Sequence, residues 1–239
     1  HPLRVFRDLA DTQGRFIGHG VLGGARAFAH VRDVSMPLWS VGAQLRPGAG
    51  PLLLGVPAQL LAGRHTPLSD VWGPEVDRMR ERLLETREPA QQLALFEAWL
   101  LGRLDLAAEL PTLLLQAVAR LGEGESVARV VRDSGYSHRH FAARFERAVG
   151  LPPKLFARTQ RLQHALRLLE RQPHAPWASL ALAAGYSDQP HLTREFRAFS
   201  GLTPDVFRRL SPSASAHVPL PTGDRPPGAS AGTIRSRQG

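Results

Sequence analysis

The chain has 239 residues, a formal net charge of +9, 43% hydrophobic residues and 21% charged residues. This composition is typical of a globular protein with one large domain or two small ones. No apolar run approaches the roughly 20 residues that a membrane-spanning helix needs. Cysteine is absent, which excludes disulfides, thiolate metal ligands and a cysteine nucleophile. We therefore expect a cytoplasmic protein with no membrane partner and no cofactor.

The positive charge is concentrated in one part of the chain. Residues 122–210 carry 14 Arg or Lys and 8 Asp or Glu, so six of the nine surplus charges lie there. Lys154 is the only lysine. Arginine suits bidentate contacts to phosphate and guanine, although a codon bias would leave the same composition. A basic region of this kind is typical of a nucleic-acid-binding domain.

Residues 1–106 are rich in Gly and Pro and are predicted to contain short strands and turns followed by helices. Apolar stretches at 38–45 and 52–56 predict strands, and apolar spacing predicts helices over 74–84 and 89–104. The chain begins at His1 without Met, so we expect that an upstream piece is missing and that this domain is truncated.

Two sets of apolar side chains in this first part have open assignments. Trp39 and Trp72 either line a pocket or belong to the core. The second predicted helix either forms a dimer surface or packs on its own domain. Its apolar residues are Leu93, Phe96, Leu100, Leu101 and Leu104.

Residues 107–210 are predicted to be almost purely helical, with proline or a capping residue at most starts and glycine at most ends. The expected helices lie between Pro111 and Gly122, from Val127 to Gly135, from Ser137 to Gly150, from Pro152 and Pro153 through Leu169, from Trp177 to Gly185, from Ser187 to Gly201, and from Pro204 to Leu210. Residues 211–239 are poor in large apolar side chains, and we expect a disordered tail.

The helical part contains an internal repeat. Gly135-Tyr136-Ser137 recurs as Gly185-Tyr186-Ser187 at an offset of 50. Phe145 and Phe196, like Gly150 and Gly201, are offset by 51, which places a one-residue insertion at the start of the second longer helix. A short helix, a glycine-containing turn and a longer helix form a helix-turn-helix unit. Stacked helical repeats normally need three or more copies, so two copies joined by a long helix fit that class poorly.

Residues 135–209 resemble the DNA-binding domain of the AraC/XylS family. The motifs that carry the resemblance are Gly135-Tyr136-Ser137, Phe145, Gly150, Arg161-x-x-x-Ala165-x-x-Leu168-Leu169, Ala183-x-Gly185-Tyr186, Phe196 and Gly201-x-x-Pro204. The family implies a monomeric DNA-binding domain whose two recognition helices enter successive major-groove segments. It also implies a preceding effector-binding or dimerising domain, often a cupin-like β-barrel, and residues 41–48 with 52–55 resemble its strand-to-helix part.

The expected fold class is therefore α+β. A partial, β-rich, cupin-like domain with helices at 1–106 precedes an all-α domain of about seven helices at 107–210, which contains both helix-turn-helix units. The tail follows at 211–239.

Helical geometry identifies the side chains that face DNA. If Leu192 and Phe196 point inward, the opposite face carries Pro190 and Arg194. Early turns of a recognition helix lie deepest in the groove. The base-reading candidates, which the family resemblance also implies, are Arg139, Ala142, Ala143, Gln189, Pro190, Thr193 and Arg194. The phosphate-binding candidates are Arg147, Lys154, Arg158, His191, Arg197 and Arg208.

We expect a sequence-specific DNA-binding transcription regulator rather than an enzyme. Candidate partners are double-stranded DNA, RNA polymerase, a small-molecule effector at the N-terminal domain and a second copy of the chain. The alternatives are a nonspecific architectural DNA-binding protein, a cupin-type enzyme with an attached DNA-binding domain, and a protein-interaction module. Some relatives of the family repair alkylated DNA through cysteine, which this chain lacks. No metal site is expected, because His138 and His140 diverge on a helix and the other histidines are scattered.

Overall fold

The computed structural model describes residues 2–6, 11, 13–32, 39–104 and 111–210. The predicted tail at 211–239, residue His1 and the predicted domain boundary at 106/107 lie outside these residues.

The strands of the N-terminal part are short. They are β1 (Leu3–Phe6), β2 (Arg15–Gly18), β3 (Val21–Gly23), β4 (Val31–Arg32) and β5 (His65–Pro67). An antiparallel sheet has the order β2-β1-β4, and β3 pairs with β5 in a second antiparallel sheet. The described residues therefore confirm an α+β chain with a small strand-containing N-terminal part, whereas they do not confirm a cupin-like barrel.

The other regular elements described in this part are helices. They are α1 (Gly50–Leu54), a 3₁₀ turn (Ala58–Leu60), α2 (Ser69–Trp72), α3 (Glu75–Glu85) and α4 (Pro89–Leu101). The predicted strand at 52–56 is wrong, because Pro51 lies in the first turn of α1 and Gly55 ends it with a φ of 70°. The predicted strand at 38–45 is also absent, since residues 39–45 have no regular structure and Leu38 lies outside the described residues.

The open assignments of the apolar residues are partly resolved. Trp72 packs edge-on against Trp99 and lies beside the buried Leu53, Leu54 and Leu61, so it belongs to the core. Trp39 is 76% exposed, so it does not belong to the core. Its Nε1 donates a hydrogen bond to Gln92 Oε1 at 2.9 Å. On α4, Leu100 packs on this core, whereas Leu93 and Leu101 are exposed.

Seven helices form described residues 111–210: α5 (Thr112–Gly122), α6 (Val127–Asp133), α7 (His138–Val149), α8 (Pro153–Arg171), α9 (Trp177–Ala183), α10 (Gln189–Ser200) and α11 (Pro204–Arg209). Helices α5, α6 and α7 enclose one core around Phe141 and Phe145. Helices α9, α10 and α11 enclose a second around Leu192 and Phe196. Helix α8 contributes to both, and Leu155 packs against each.

The N-terminal part touches both helical units through one extended segment. This segment, residues 24–29, lies between β3 and β4, and we name it the strap. Ala25 packs on the first core and Ala27 on the second. The backbone N–H of Ala29 donates to the carbonyl of Phe199 at 2.8 Å, and the ring of Phe28 stacks on Phe199. The strap therefore spans the two units on a path separate from α8.

Candidate nucleic-acid interface

Local capping determines where the longer helix of each unit begins. Ser137 Oγ accepts the N–H of His140 and starts α7, as predicted. In the second unit the cap is Asp188, whose Oδ1 accepts the N–H of His191 at 2.6 Å, so the predicted cap at Ser187 is wrong. The inserted residue thus lies in the turn before α10 and not in the helix. Pro190 is the second helical residue, where its missing N–H breaks no helical bond.

With Asp188 aligned to Ser137, the two units correspond at a constant offset of 51. Arg139 then corresponds to Pro190, Ala142 to Thr193 and Ala143 to Arg194. Gln189 corresponds to His138, an exposed residue that sequence reasoning did not place among the base-reading candidates. Alignment of the two helix caps, Ser137 with Asp188, would have identified His138 as the counterpart of Gln189.

Each of these helices has a buried stripe and an exposed stripe. On α7, Phe141 and Phe145 are fully buried, whereas Arg139, Ala143 and Arg147 are exposed. On α10, Leu192 and Phe196 are buried, and the exposed residues include Gln189, Pro190, Arg194 and Arg197. Ala142 and Thr193 are half-buried at the edge of the exposed stripes. Burial of large apolar groups fixes the rotation of each helix about its axis and so fixes which side chains face outward.

The turns of the two units are built alike. Gly135 and Gly185 have φ values of 71° and 79°, a left-handed conformation that favours glycine. The tyrosine that follows each glycine packs on a histidine of the next helix, Tyr136 on His140 and Tyr186 on His191. Burial raises the pKa of Tyr186 to about 12, and its hydroxyl has no hydrogen-bond partner among the described residues.

The phosphate-binding candidates divide into two groups. Arg147, Lys154 and Arg197 are exposed. His191 is half-buried, and its Nδ1 lies 3.1 Å from Ser187 Oγ. Arg158 and Arg208, by contrast, make contacts within the domain that sequence reasoning did not reveal. No local signal marks such contacts, because the partners lie 37 and 33 residues away.

Arg158 joins the connecting helix to α10. Its Nε and Nη2 donate to the two carboxylate oxygens of Glu195 at 2.9 and 2.8 Å, and its guanidinium lies 5.0 Å from the centre of the Phe199 ring. These hydrogen bonds raise the pKa of Arg158 and lower the pKa of Glu195. A bidentate pair of this kind fixes orientation as well as distance.

Arg208 lies over the indole of Trp177 at 3.9 Å and donates from Nη2 to the carbonyl of Ala175 at 2.8 Å. Trp177 Nε1 in turn donates to Asp205 Oδ1 at 2.6 Å. These contacts link α11 to the start of α9.

Within the described ranges, no group of three His, Asp or Glu side chains is placed to hold a metal ion. No helix in those ranges is long and apolar enough to cross a membrane.

Comparison with known proteins agrees with this geometry. Residues 130–210, about a third of the chain, match the family described as a helix-turn-helix domain. The match begins within α6 and ends just after α11, so it includes the longer helix of both units. No curated protein and no solved structure matches the chain.

Proposed function

We propose that the chain is a DNA-binding transcription regulator that binds a specific sequence through an AraC-type helix-turn-helix domain at residues 130–210. Each of the two units reads one of two successive major-groove segments. The observation that carries this proposal is the pair of exposed stripes. Each unit presents one on the helix that follows its turn, in the same register and with a large apolar core behind it.

The base-reading side chains of the proposal are those at the start of each exposed stripe. Arg139 and Arg194 have the fork geometry that pairs with guanine O6 and N7, and Gln189 can pair with adenine N6 and N7. Ala142, Ala143 and Thr193 offer methyl groups that suit thymine. Pro190 has no donor, so it contributes shape alone.

The phosphate contacts of the proposal come from the exposed cations Arg147, Lys154 and Arg197, with His191 beside them. Arg158 and Arg208 are also candidates, but their partners within the domain already hold part of each guanidinium. The two N–H groups of Nη1 and the second N–H of Nη2 of Arg158 are left to reach a phosphate. The main role that we assign to these two arginines is to position α10 and α11.

The test is selection of bound fragments from random DNA by the full chain, followed by footprinting on the selected sequence. We expect a recurring sequence with two half-sites whose centres are about 10–10.5 bp apart, and protection of two groove segments on one face of the duplex. Recovery of fragments that share no sequence would contradict base reading and would instead indicate architectural binding. Protection of a single groove segment would contradict the two-segment arrangement.

A further inference from the structure

Helices α7 and α10 correspond residue by residue from start to end. Each has 12 residues and begins after a cap that accepts the N–H of its third residue. Each ends at a glycine with a left-handed φ, 87° at Gly150 and 75° at Gly201. Their buried side chains correspond as well, and the pairs are Phe141 with Leu192, Phe145 with Phe196 and Ala148 with Phe199. Every residue of α7 therefore has its counterpart 51 positions later in α10.

The exposed stripes of these two helices differ in the position of arginine. The second residue of α7 is Arg139, and its counterpart in α10 is Pro190. The sixth residue of α10 is Arg194, and its counterpart in α7 is Ala143. All four residues are exposed. Among its first six residues each helix thus presents one exposed arginine, in the first turn of α7 and in the second turn of α10.

Neither arginine is held by a carboxylate of the protein. The ion pairs among the described residues do not include Arg139 or Arg194, whereas Arg158 is paired with Glu195. An exposed guanidinium of this kind can present two N–H groups to guanine O6 and N7. The early turns of a helix in the major groove lie closest to the base edges. Both arginines are therefore placed to read guanine.

The difference of four positions is a distance along the helix. A rise of about 1.5 Å per residue separates the second and sixth positions by about 6 Å. Neighbouring base pairs are about 3.4 Å apart along the duplex axis and somewhat farther apart along the groove. The displacement between the two positions therefore corresponds to about one to two base pairs.

We propose that the two units read guanine at different places within their half-sites, which are displaced from each other by about one to two base pairs. In this arrangement both helices enter the groove in the same direction, Arg139 reads the guanine of the first half-site and Arg194 reads that of the second. The inference rests on the proposed function. The half-site centres are about 10–10.5 bp apart there, so the two guanines are separated by about one to two base pairs more or fewer than one turn.

The side chains that offer methyl groups do not share this displacement. Ala142 and Thr193 are counterparts, and both are half-buried at the edge of the exposed stripe. Contacts from these two residues to thymine methyl groups keep the spacing of one turn. The bound sequence therefore combines a thymine element repeated at one turn with a guanine that departs from the repeat.

The test selects bound fragments from random DNA with the full chain and with a variant that moves the arginine of α7. That variant combines Arg139→Ala with Ala143→Arg, at two exposed residues, and both new side chains favour a helix. We expect the preferred guanine of the first half-site to move by about one to two base pairs, while that of the second stays in place. The two guanines should then be about 10–10.5 bp apart.

The reciprocal variant, Arg194→Ala with Pro190→Arg, moves the arginine of α10 and should bring the guanines to the same spacing. Arg139→Ala alone should reduce the preference for guanine about tenfold at one position and create no new preference. Arg147→Ala is the matched control, because Arg147 is exposed in the third turn of α7 and is a phosphate-binding candidate. It should weaken binding without moving either guanine.

A guanine that stays in place or disappears in either double variant, with the variant folded by its unfolding curve, would overturn the proposal. Native guanines that already lie about 10–10.5 bp apart would overturn it as well. Both results still contain a recurring sequence, so they leave the proposed function intact. Fragments that share no sequence would contradict the proposed function itself.

Discussion

At the scale of single residues, the ion pair between Arg158 and Glu195 holds the connecting helix α8 against α10. The side chain of Glu195 is 15% exposed and that of Arg158 is 37% exposed, so the carboxylate depends on the arginine for its hydrogen bonds. On charge alone, an arginine on a basic surface would be assigned a contact with DNA. The pairing of Arg158 with Glu195 shows that such an arginine can instead stabilise the packing of two helices.

Arg158→Ala should lower the free energy of unfolding by about 1–2 kcal/mol, toward the low end for charged hydrogen bonds because the arginine is partly exposed. The loss comes from the unpaired Glu195 carboxylate and the lost contact with Phe199. Urea denaturation of the full chain measures it. Arg194→Ala, at an exposed residue, should change stability by no more than about 0.5 kcal/mol. Equal stability of the two variants would show that the ion pair has no structural role.

Arg194 and Arg197 form a matched pair for testing base reading, because both are exposed on α10. Arg194→Ala should cost about 1–3 kcal/mol on the selected DNA sequence and little on scrambled DNA. Arg197→Ala should weaken binding to both and lower the slope of log affinity against log salt by about one unit. Binding isotherms at several salt concentrations measure both effects. An equal loss on both DNAs for Arg194→Ala would make it a phosphate ligand.

His65 gives the stability of the N-terminal part a pH dependence. Its pKa in the folded chain is about 4, against 6.5 for an ordinary histidine, so the folded chain favours the neutral ring. The free energy of unfolding is therefore reduced as the pH falls from about 6.5 toward 4, since the unfolded chain binds the proton first. The native chain should lose stability relative to His65→Gln over this range, which denaturation curves of both proteins at several pH values measure. Parallel curves would contradict the assignment.

At the scale of elements, helix starts and stops account for most of what could be predicted from the sequence. Proline, serine and glycine act on neighbouring residues, so the bounds of the helices from α5 to α11 could be predicted to within about two residues, although the cap of α10 is Asp188 and not Ser187. The strand predicted at 52–56 failed because an apolar run of that length suits a strand or a short helix equally well. The contacts of Arg158, Arg208 and the strap could not be predicted, since they join residues distant in sequence.

The neighbouring residues Ser187 and Asp188 have different roles at the start of α10. Asp188→Ala should reduce the free energy of unfolding by about 1 kcal/mol, because the N–H of His191 loses its acceptor. Ser187→Ala should cost less, since Ser187 contacts only the His191 side chain. Thermal or urea unfolding of both variants measures the difference. A larger loss for Ser187→Ala would restore Ser187 as the cap.

At the scale of the whole molecule, the two cores lie almost entirely within the helical domain, and the strap adds small side chains to each. We therefore expect the fragment 107–210 to fold on its own and to bind the selected DNA as a monomer. Its stability should be lower than that of the full chain, because the two cores lose Ala25 and Ala27 of the strap, which pack against them. Sedimentation, cooperative unfolding and footprinting of the fragment test this. A fragment without a cooperative transition would show that the N-terminal part is required for folding.

The end of α7 shows how closely the N-terminal part approaches the helical domain. Gly150 has a φ of 87°, and a Cβ atom there would lie 3.0 Å from the Cβ of Ala25 and 3.1 Å from the carbonyl oxygen of Ala58. The strap and the 3₁₀ turn thus contact α7 where it ends, and the strap contacts α10 at Phe199.

Two connections, α8 and the strap, therefore bridge the same pair of helix-turn-helix units. Two connections restrict rotation of one unit relative to the other more than a single connecting helix would. In the proposed complex, the fixed distance between the two units sets the number of base pairs between the half-sites. Each base pair inserted between the half-sites rotates one of them by about 34–36° around the duplex, since a turn takes about 10–10.5 bp. A single hinge would absorb such a rotation at little cost, whereas the doubly bridged domain would have to release the strap or lose one groove.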